Sequence, residues 1–389
     1  MPPANSFLTK EKINAMKEPK FPLDVYFCEN CSLVQIGYSV PPEELFTDYI
    51  YVTSTSDAIH RHAALLANEL KNRFFLDNKS LVVEIASNDG CVLGYFKKLG
   101  IKVLGVEPAR NVAKIAMEKG IETYVDFFNE KTAIDIAKKY GKADVILARH
   151  VFAHVPEIHD FVKGLKHQLK KDGLIAIEAP YLVDMIQKTE FDTIYHEHLS
   201  YLSLRPMSKL FKKYGMELFD IEYFNIHGGA LMYFICNEGS YEVNPRVEKY
   251  LSEEKINGFY EIDVYSKFAK RTMLLKTKLM DLLNRLKQEG NTIAAYGAPA
   301  KGNTLLNFCG ISTDLIDYIV DKSPYKQNLF TPGMHIPVFS PNKLIEEMPD
   351  YTLLLAWNFA DEILEQQKAY LEKGGRFIIP VPEPKIIGK

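Results

Sequence analysis

The chain has 389 residues, of which 47% are hydrophobic and 25% are charged, and its formal net charge is −3. This composition is typical of a folded globular protein, and a chain of this length is expected to form roughly two or three domains. The near balance of charges, with no recurring basic stripe, argues against a nucleic-acid or anionic-membrane partner. The sequence contains neither an apolar run of membrane-spanning length nor an N-terminal secretory pattern, which predicts a cytoplasmic protein.

The N-terminal region, residues 1–69, contains one pair of closely spaced cysteines. Cys28 and Cys31 form a C-x-x-C knuckle, the spacing with which two thiolates chelate one zinc ion from a tight turn. A structural zinc needs four ligands, and the remaining cysteines are scattered singly through apolar patterns. We therefore rank an unmetallated knuckle above a zinc site.

Residues 70–240 alternate between strand and helix patterns. The order strand, turn, helix, strand, helix over residues 79–121 predicts a parallel sheet, which further apolar runs in 143–155 and 172–181 extend. Two β-rich runs around a His-Gly-Gly turn in 215–237 predict an antiparallel hairpin at the edge of the sheet. We interpret this region as a doubly wound α/β sheet, followed by a helical connector at 241–289.

The strand and helix pattern begins again in residues 290–389. A strand, a glycine turn and a helix occupy 291–310, and later strand patterns lie in 315–321, 352–358 and 376–382. This predicts a second, Rossmann-like α/β domain. Two such units imply either two nucleotide-like ligands or one ligand and one redundant scaffold.

The turn after the first strand indicates which ligand the first unit binds. Residues 84–90 read Glu-Ile-Ala-Ser-Asn-Asp-Gly, with a single glycine in place of the G-x-G-x-x-G fingerprint of dinucleotide-binding proteins. A carboxylate here repels a pyrophosphate but suits an ammonium group, and Glu107 at the next strand end suits two ribose hydroxyls. An amino acid plus a ribose describes S-adenosylmethionine, although each acid alone also fits a solvated strand end. The predicted cofactor-binding residues, of which the last two suit adenine, are Glu84, Ala86, Ser87, Asn88, Gly90, Glu107, Pro108, Asp126 and Phe127.

The order of several motifs resembles the sugar C-methyltransferases of deoxysugar and branched-sugar biosynthesis. The resemblance covers nearly the whole chain and rests on residues 2–8, 84–90, 105–113, 151–165, 195–204, 227–229 and 296–304. It implies an N-terminal zinc-binding domain, an S-adenosylmethionine domain, and a C-terminal Rossmann-like domain that helps to bind a nucleotide sugar. Family members carry a first cysteine pair upstream of the motif at 2–8, and this sequence begins at that motif.

The same resemblance assigns the chemistry to the Tyr-His-Glu-His stretch at 195–198. Methylation of a carbon next to a ketone needs a base for the α-proton, donors for the enolate oxygen and an aligned methyl sulfonium. His198 is the expected base, Glu197 is expected to orient or polarise it, and two tyrosines are expected to hold the keto oxygen or relay a proton. The predicted catalytic residues are His198, Glu197, Tyr195, Tyr51 and His227.

Other interpretations of the histidines stay open. His196 and His198 would share one side of an extended segment, which is compatible with a metal site, but no further ligand set accompanies them. A structural hydrogen-bonding role is favoured for His196. His154 is equally compatible with an approach to the cofactor and with a packing role.

The glycine turn of the C-terminal unit is a candidate phosphate site. It follows a strand and opens a helix, so its amides and Lys301 suit a phosphate, although Lys301 precedes the second glycine, unlike in a Walker A loop. A purely structural turn fits almost as well, and the resemblance favours the nucleotide diphosphate. The predicted substrate-binding residues are Gly297, Ala298, Lys301, Asn303 and Asp321.

Together these patterns predict a C-methyltransferase that acts on a nucleotide-linked keto-deoxysugar, as a monomer or a dimer. O- or N-methylation of a sugar nucleotide is the main alternative within the enzyme class. A non-catalytic nucleotide-sugar binding protein is the alternative from another class.

Overall fold

The computed structural model describes residues 1–15, 17–46, 52–55, 57–224 and 228–388. Its N-terminal region contains short elements followed by one long helix. These are α1 (Lys10–Ala15), β1 (Val25–Phe27), β2 (Val34–Ile36), α2 (Pro42–Phe46) and α3 (Asp57–Arg73). Cys28 and Cys31 lie in the turn between β1 and β2, which pair in antiparallel fashion.

The central part of the chain forms a large sheet with helices on its faces. Its elements are β3 (Leu81–Ile85), α4 (Cys91–Lys98), β4 (Lys102–Val106), α5 (Arg110–Glu118), β5 (Thr123–Tyr124), α6 (Glu130–Tyr140), β6 (Ala143–Arg149), α7 (Ile158–Gln168), β7 (Leu169–Pro180), α8 (Leu182–Gln187), β8 (Ser200–Tyr201), α9 (Leu204–Lys212), β9 (Met216–Phe224) and β10 (Ala230–Asn237).

The strand order of this sheet is β5-β4-β3-β6-β7-β10-β9. The first five strands in this order, β5, β4, β3, β6 and β7, run parallel to one another. Strand β10 is antiparallel to both β7 and β9. All five residues of β3 are buried, as expected for a parallel strand that is covered by helices on both faces. This topology confirms the predicted doubly wound sheet with an antiparallel edge hairpin. Its switch point lies between β3 and β6, where ligands bind at the carboxyl ends of the strands.

Helix α3 belongs to the packing of this central sheet. Its buried residues Ala63, Leu66 and Leu70 join one hydrophobic cluster with Val82 of β3 and Leu93 of α4. The domain boundary that the sequence suggested, between residues 69 and 70, therefore falls inside a continuous helix. The apolar periodicity of α3 begins well before the first strand pattern. The domain to which this helix belongs is therefore decided by packing contacts that exist only in the folded chain.

Two helices and a second sheet complete the chain. They are α10 (Pro245–Ile256), α11 (Ile262–Gln288), β11 (Ile293–Tyr296), α12 (Ala300–Cys309), β12 (Ile319–Val320), β13 (Val338–Phe339), α13 (Asn342–Glu347), β14 (Tyr351–Leu354), α14 (Ala360–Gln366), α15 (Lys368–Glu372), β15 (Arg376–Ile379) and β16 (Lys385–Ile387). The strand order is β13-β12-β11-β14-β15-β16, parallel except for β16. This arrangement confirms the predicted Rossmann-like unit and adds two short edge strands that the apolar pattern did not predict.

Long-range contacts join the three regions into one structure. Helix α11 buries Leu275, Leu279 and Leu283 at helical spacing, and these residues belong to a hydrophobic cluster shared by both sheets. Strand β2 pairs with β8, so the N-terminal strands form a small sheet with the central unit. Leu8 forms a bridge with Phe330, which attaches the N-terminus to the C-terminal unit. Within the described residues, no helix has both the length and the apolar character that a membrane crossing requires.

Candidate active site

The turn after β3 has an unusual backbone. Ala86 and Asn88 have φ angles of 53° and 51°, in the left-handed region, and Gly90 follows at 71°. The left-handed conformation costs a non-glycine residue roughly 1–2 kcal/mol, so surrounding contacts must hold the turn in place. One such contact is the Asn88 amide, which donates to Glu107 Oε2 at 2.8 Å.

Two buried carboxylates flank this turn in different ways. Glu107 accepts from the amides of Asn88 and Ala109, at 2.8 and 2.9 Å, so it fixes the shape of the turn. Glu84 is 4% exposed. Burial raises the pKa of Glu84 to about 8, against the opposing charge of Arg149. An uncharged Glu84 at neutral pH is therefore expected until a cation approaches it.

The polar atoms of this turn fit the amino-acid end of S-adenosylmethionine. In the described part of the chain, Glu84 Oε2, Ser87 Oγ and Asp89 Oδ1 are buried and make no hydrogen bond. Buried polar atoms normally have a partner, so this concentration in one turn is suited to a polar ligand. The side chain of Asp126 is exposed just beyond β5, where its Oδ1 accepts from the Phe127 amide at 2.8 Å. The cofactor roles predicted for Asp126, Phe127 and Pro108 stay predictions.

The imidazole of His198 is held in a defined tautomer. Its Nδ1 lies 2.9 Å from the carbonyl oxygen of Thr193, which only accepts, so Nδ1 carries the proton. Nε2 lies 2.8 Å from the Tyr195 hydroxyl oxygen and accepts a hydrogen bond from that hydroxyl. Burial, followed by the charge of His154, lowers the pKa of His198 well below its ordinary value. The ring is therefore neutral at physiological pH, and its Nε2 lone pair faces a tyrosine hydroxyl.

The two residues between Tyr195 and His198 face the N-terminal region. His196 Nε2 lies 3.1 Å from the carbonyl oxygen of Pro22, which supports the structural role favoured for this histidine. Glu197 is buried and accepts from Asn5 Nδ2 at 2.5 Å. The orienting contact to the His198 ring that the sequence suggested for Glu197 is made instead by Thr193.

His154 lies beside His198, although the sequence left its position open. The two rings meet edge to face with their centroids 5.0 Å apart. Burial lowers the pKa of His154 to about 4, so this ring is also neutral. Tyr51 and His227, the other predicted catalytic residues, lie outside the described residues.

The predicted phosphate turn of the C-terminal unit already makes contacts within the protein. The Ala298 amide, which follows the turn residue Gly297, donates to Asp321 Oδ2 at 2.6 Å. Lys301 Nζ lies 3.6 Å from Glu190 Oε2 and 5.1 Å from the centre of the Trp357 ring. The side-chain amide of Asn303 donates to the carbonyl oxygen of Ala4 at 2.7 Å.

These contacts place the turn beside the proposed base. Glu190 directly precedes the 3-10 turn Phe191–Thr193, whose last residue holds His198. The Trp357 indole donates to Asp192 in the same turn, at 2.6 Å. The sequence pattern of the C-terminal unit gave no indication of this arrangement, because the contacts join segments far apart in the chain.

The cysteine knuckle is a second candidate site in the N-terminal region. Hydrogen bonds from the backbone and thiol of Cys31 lower the pKa of Cys28. No cluster of three or more histidine, cysteine, aspartate or glutamate side chains suited to a metal ion occurs among the residues described. Two thiols are half of the four ligands that a structural zinc requires, so zinc binding at this knuckle stays a prediction.

Comparisons with known proteins cover almost the entire chain. Family models described as a putative zinc binding domain, a methyltransferase domain and a C-methyltransferase C-terminal domain match residues 1–46, 59–220 and 225–382. The chain is 39% identical to the C-methyltransferase NovU of Streptomyces niveus over 381 residues, which cover 98% of this chain and 91% of that protein.

Solved methyltransferase structures match part of the chain. A SAM-dependent methyltransferase from Anabaena variabilis is 13% identical, with 46% of this chain and 85% of that chain covered and a TM-score of 0.37. Magnesium protoporphyrin IX methyltransferase from Synechocystis PCC 6803, solved with bound SAM, is 11% identical, with 46% and 79% covered and a TM-score of 0.36.

Proposed function

We propose that the chain, which belongs to the family of S-adenosylmethionine-dependent C-methyltransferases, methylates a carbon next to the ketone of a nucleotide-linked keto-deoxysugar. The observation that carries this proposal is the state of His198. Its ring is neutral, its tautomer is fixed by Thr193, and its Nε2 lone pair is paired with the Tyr195 hydroxyl. A C–H acid is the kind of substrate that needs such a base, whereas an amine nucleophile does not.

The proposed reaction begins with removal of the α-proton. The C–H bond breaks, its electron pair becomes the enolate, and the proton ends on His198 Nε2. In this mechanism Tyr195 either yields this lone pair or passes the proton along, and its hydroxyl would donate to the developing enolate oxygen. The enolate carbon would then form its bond to the methyl group of a bound S-adenosylmethionine as the methyl–sulfur bond breaks, with inversion at that methyl and S-adenosylhomocysteine as the leaving group.

The turn after β3 is proposed to hold the cofactor during this step. When bound, S-adenosylmethionine supplies an electrophilic methyl group on a sulfonium. Glu84 would pair with its ammonium, Ser87 and Asp89 would complete the polar contacts, and Glu107 would accept from the ribose while it holds the turn.

A nucleotide sugar is proposed as the substrate because Trp357 and Lys301 of the C-terminal unit contact the segment that holds His198. The turn at Gly297 follows β11, next to the switch point between β11 and β14, where open α/β sheets bind ligands. From that turn, Lys301 approaches Glu190, close to the residues that hold His198. A nucleotide on the C-terminal unit would therefore leave its sugar near the base. Gly297, Ala298, Asn303 and Asp321 are proposed as its contacts.

The test uses methyl-deuterated S-adenosylmethionine and a panel of nucleoside-diphosphate-linked 4-keto-sugars. We expect mass spectrometry and carbon NMR to find the label on a ring carbon next to the ketone. Label on oxygen or nitrogen would keep the cofactor site and overturn the enolate mechanism. Bound cofactor with no product from any sugar in the panel would overturn the assigned substrate class.

A further inference from the structure

The N-terminal motif at residues 2–8 contacts both the segment of the proposed base and the C-terminal unit. Asn5 Nδ2 donates at 2.5 Å to Oε1 of Glu197, the neighbour of that base in the chain. The centre of the Phe7 ring lies 5.5 Å from Lys326 Nζ. Two residues of an extended chain span at most roughly 7 Å, so these two contacts are close together along the motif. The motif therefore places the charge of Lys326 near the catalytic segment.

Lys326 lies in the loop that follows β12, and few groups within the protein contact its ammonium. Nζ donates to the carbonyl oxygen of Ala298, in the predicted phosphate turn, at 2.8 Å. Within the described residues, Nζ forms no ion pair, and the face of the Phe7 ring is its other partner. Burial lowers the pKa of Lys326, against the opposing charges of Asp321 and Glu197. An anion that reached Nζ would therefore stabilise an ammonium that has lost much of its water.

The other charged groups of this turn already have partners in the protein. Lys301 Nζ lies 3.6 Å from Glu190 Oε2, so its counter-charge is an internal carboxylate. Asp321 Oδ2 accepts from the Ala298 amide at 2.6 Å, so this carboxylate holds the turn closed. An anion at Lys301 would have to compete with Glu190, whereas an anion at Lys326 would displace no carboxylate.

The same turn carries a buried acceptor that lacks a partner. Asn303 lies in the first turn of α12, and its Nδ2 donates to the carbonyl oxygen of Ala4 at 2.7 Å. In the part of the chain that the structure describes, Asn303 Oδ1 is buried and makes no hydrogen bond. Buried polar atoms normally have a partner, and an amide oxygen suits a hydroxyl group. A ligand with both an anionic part and hydroxyl groups therefore fits this turn.

We propose that Lys326, rather than Lys301, binds the diphosphate of the nucleotide sugar. This inference rests on the proposed function. A phosphate oxygen would accept from Lys326 Nζ and supply the counter-charge that the protein does not, while Asn303 Oδ1 would accept from a hydroxyl of the same ligand. The sugar, which is attached to that diphosphate, would then extend past Asn5 and Glu197 towards the base.

The test compares how variants bind the parts of a nucleotide. Calorimetry of the wild type with dTDP, UDP, CDP and GDP first identifies the preferred base. The corresponding diphosphate, monophosphate and nucleoside are then titrated into each variant. Lys326→Gln removes the charge and keeps a donor for Ala298, whereas Lys326→Arg keeps the charge. Lys322→Gln is the matched control, because Lys322 is exposed in the same loop and its Nζ contacts Gln366.

We expect Lys326→Gln to weaken binding of the diphosphate by roughly 10- to 100-fold, the usual contribution of a hydrogen bond between charged groups. The monophosphate should lose less affinity and the nucleoside none, since the lost contact is to phosphate. Lys326→Arg, Lys322→Gln and Lys301→Met should keep the wild-type affinity for the diphosphate.

A measurement on the wild type checks the assignment without any variant. Lysine acetylation is followed by mass spectrometry, and the diphosphate, but not the nucleoside, should protect Lys326 and leave Lys322 reactive. Unchanged diphosphate affinity in Lys326→Gln, equal weakening for the nucleoside, a loss confined to Lys301→Met, or no protection of Lys326 would each overturn this assignment and leave the proposed function standing. A wild type that binds none of the four diphosphates would overturn both.

Discussion

The Tyr195 hydroxyl lies 2.8 Å from His198 Nε2, and their rings are 4.1 Å apart between centroids. The Thr193 carbonyl oxygen accepts a hydrogen bond from His198 Nδ1, so Nδ1 carries the proton and Nε2 does not. The Tyr195 hydroxyl is therefore the donor and the imidazole is the acceptor in this pair. The pair can therefore take up one proton at Nε2 without a change of tautomer. Replacement of His198 and replacement of Tyr195 should therefore lower the rate of methyl transfer to different extents.

We expect His198→Ala to lower kcat by about 10²- to 10⁴-fold, the usual contribution of a general base. Tyr195→Phe keeps the ring contact and removes the hydroxyl, so a smaller loss is expected. Steady-state rates of methyl transfer measure both changes, and calorimetry should give an unchanged Kd for S-adenosylmethionine. Full turnover by His198→Ala would show that another group is the base.

His196→Asn provides the comparison within the same four residues. The His196 ring contacts the carbonyl oxygen of Pro22 in the N-terminal region, so its loss should lower thermal stability and leave kcat within a few fold. A loss of kcat in His196→Asn as large as in His198→Ala, with an unchanged melting temperature, would contradict the distinction between the two histidines.

Cofactor affinity should depend on the ionisation of Glu84. Burial raises the pKa of this carboxyl to about 8, so the ligand-free protein is mostly protonated there at pH 6 to 7. Binding an ammonium group requires the carboxylate, so affinity should rise by less than tenfold per pH unit between pH 6 and about 8. Calorimetry in buffers of different ionisation enthalpy should detect proton release. Glu84→Gln should bind more weakly, without this pH dependence.

The ionisation of Glu84 should change the stability of the fold in the opposite direction to cofactor affinity, so that stability falls as the pH rises. The pKa of Glu84 is raised in the folded state, so its contribution to stability is fully present below pH 4.5 and is lost as the pH rises to about 8. Glu84→Gln lacks this loss and should gain stability relative to the wild type between pH 5 and pH 8. Denaturant unfolding at both pH values measures the difference. Parallel curves for the two proteins would mean that Glu84 is already ionised in the folded protein.

Much of the fold was predictable because local patterns determine it. The buried strand β3 and the hairpin β9–β10 follow from apolar runs and a glycine turn. The pairing of β2 with β8 was not predictable, since both strands are very short and distant in the chain. The location of the boundary inside α3 has the same origin, because helix periodicity does not reveal which sheet a helix packs on.

The candidate site divides in a similar way. The sequence pointed to His198 and the turn at Glu84 as candidates, because residue types that carry chemistry cluster there within a few positions. It did not identify Thr193 as the group that orients His198, because that contact uses a backbone carbonyl and leaves no side-chain signal. It also did not reveal that Lys301 faces Glu190, since that ion pair depends on how the two sheets pack.

The glycines after the β9 strand are expected to tolerate no side chain. Gly229 has a φ of 128°, and a Cβ there would lie 1.8 Å from Asp184 Oδ2. Gly229→Ala should therefore destabilise the protein by about 1–3 kcal/mol through backbone strain and displacement of Asp184. Gly239→Ala is the control, because Gly239 also has a positive φ but a Cβ would meet nothing within 4 Å. Equal destabilisation of the two variants would mean that backbone conformation alone sets the cost.

Lys301 should stabilise the protein in a pH-dependent manner. Burial raises the pKa of Glu190 and also raises that of Asp192, to about 6, while the charge of Lys301 opposes both shifts. In Lys301→Met these acids lose that charge, so their folded-state pKa values rise further and stability falls more steeply as the pH rises. We expect a loss of roughly 1–3 kcal/mol at pH 8 and a smaller loss at pH 5.

Denaturant unfolding at the two pH values measures this effect of Lys301→Met. Lys287→Met is the control, because Lys287 pairs with the half-exposed Asp317 at 3.2 Å, where an ion pair contributes at most about 1 kcal/mol. Binding of a nucleoside diphosphate to both variants should be measured alongside. Unchanged unfolding of Lys301→Met would contradict the stabilising role, because loss of a stabilising ion pair with Glu190 must lower the free energy of unfolding. If nucleotide binding were weaker in the same variant, the result would favour the phosphate contact that the glycine turn predicts.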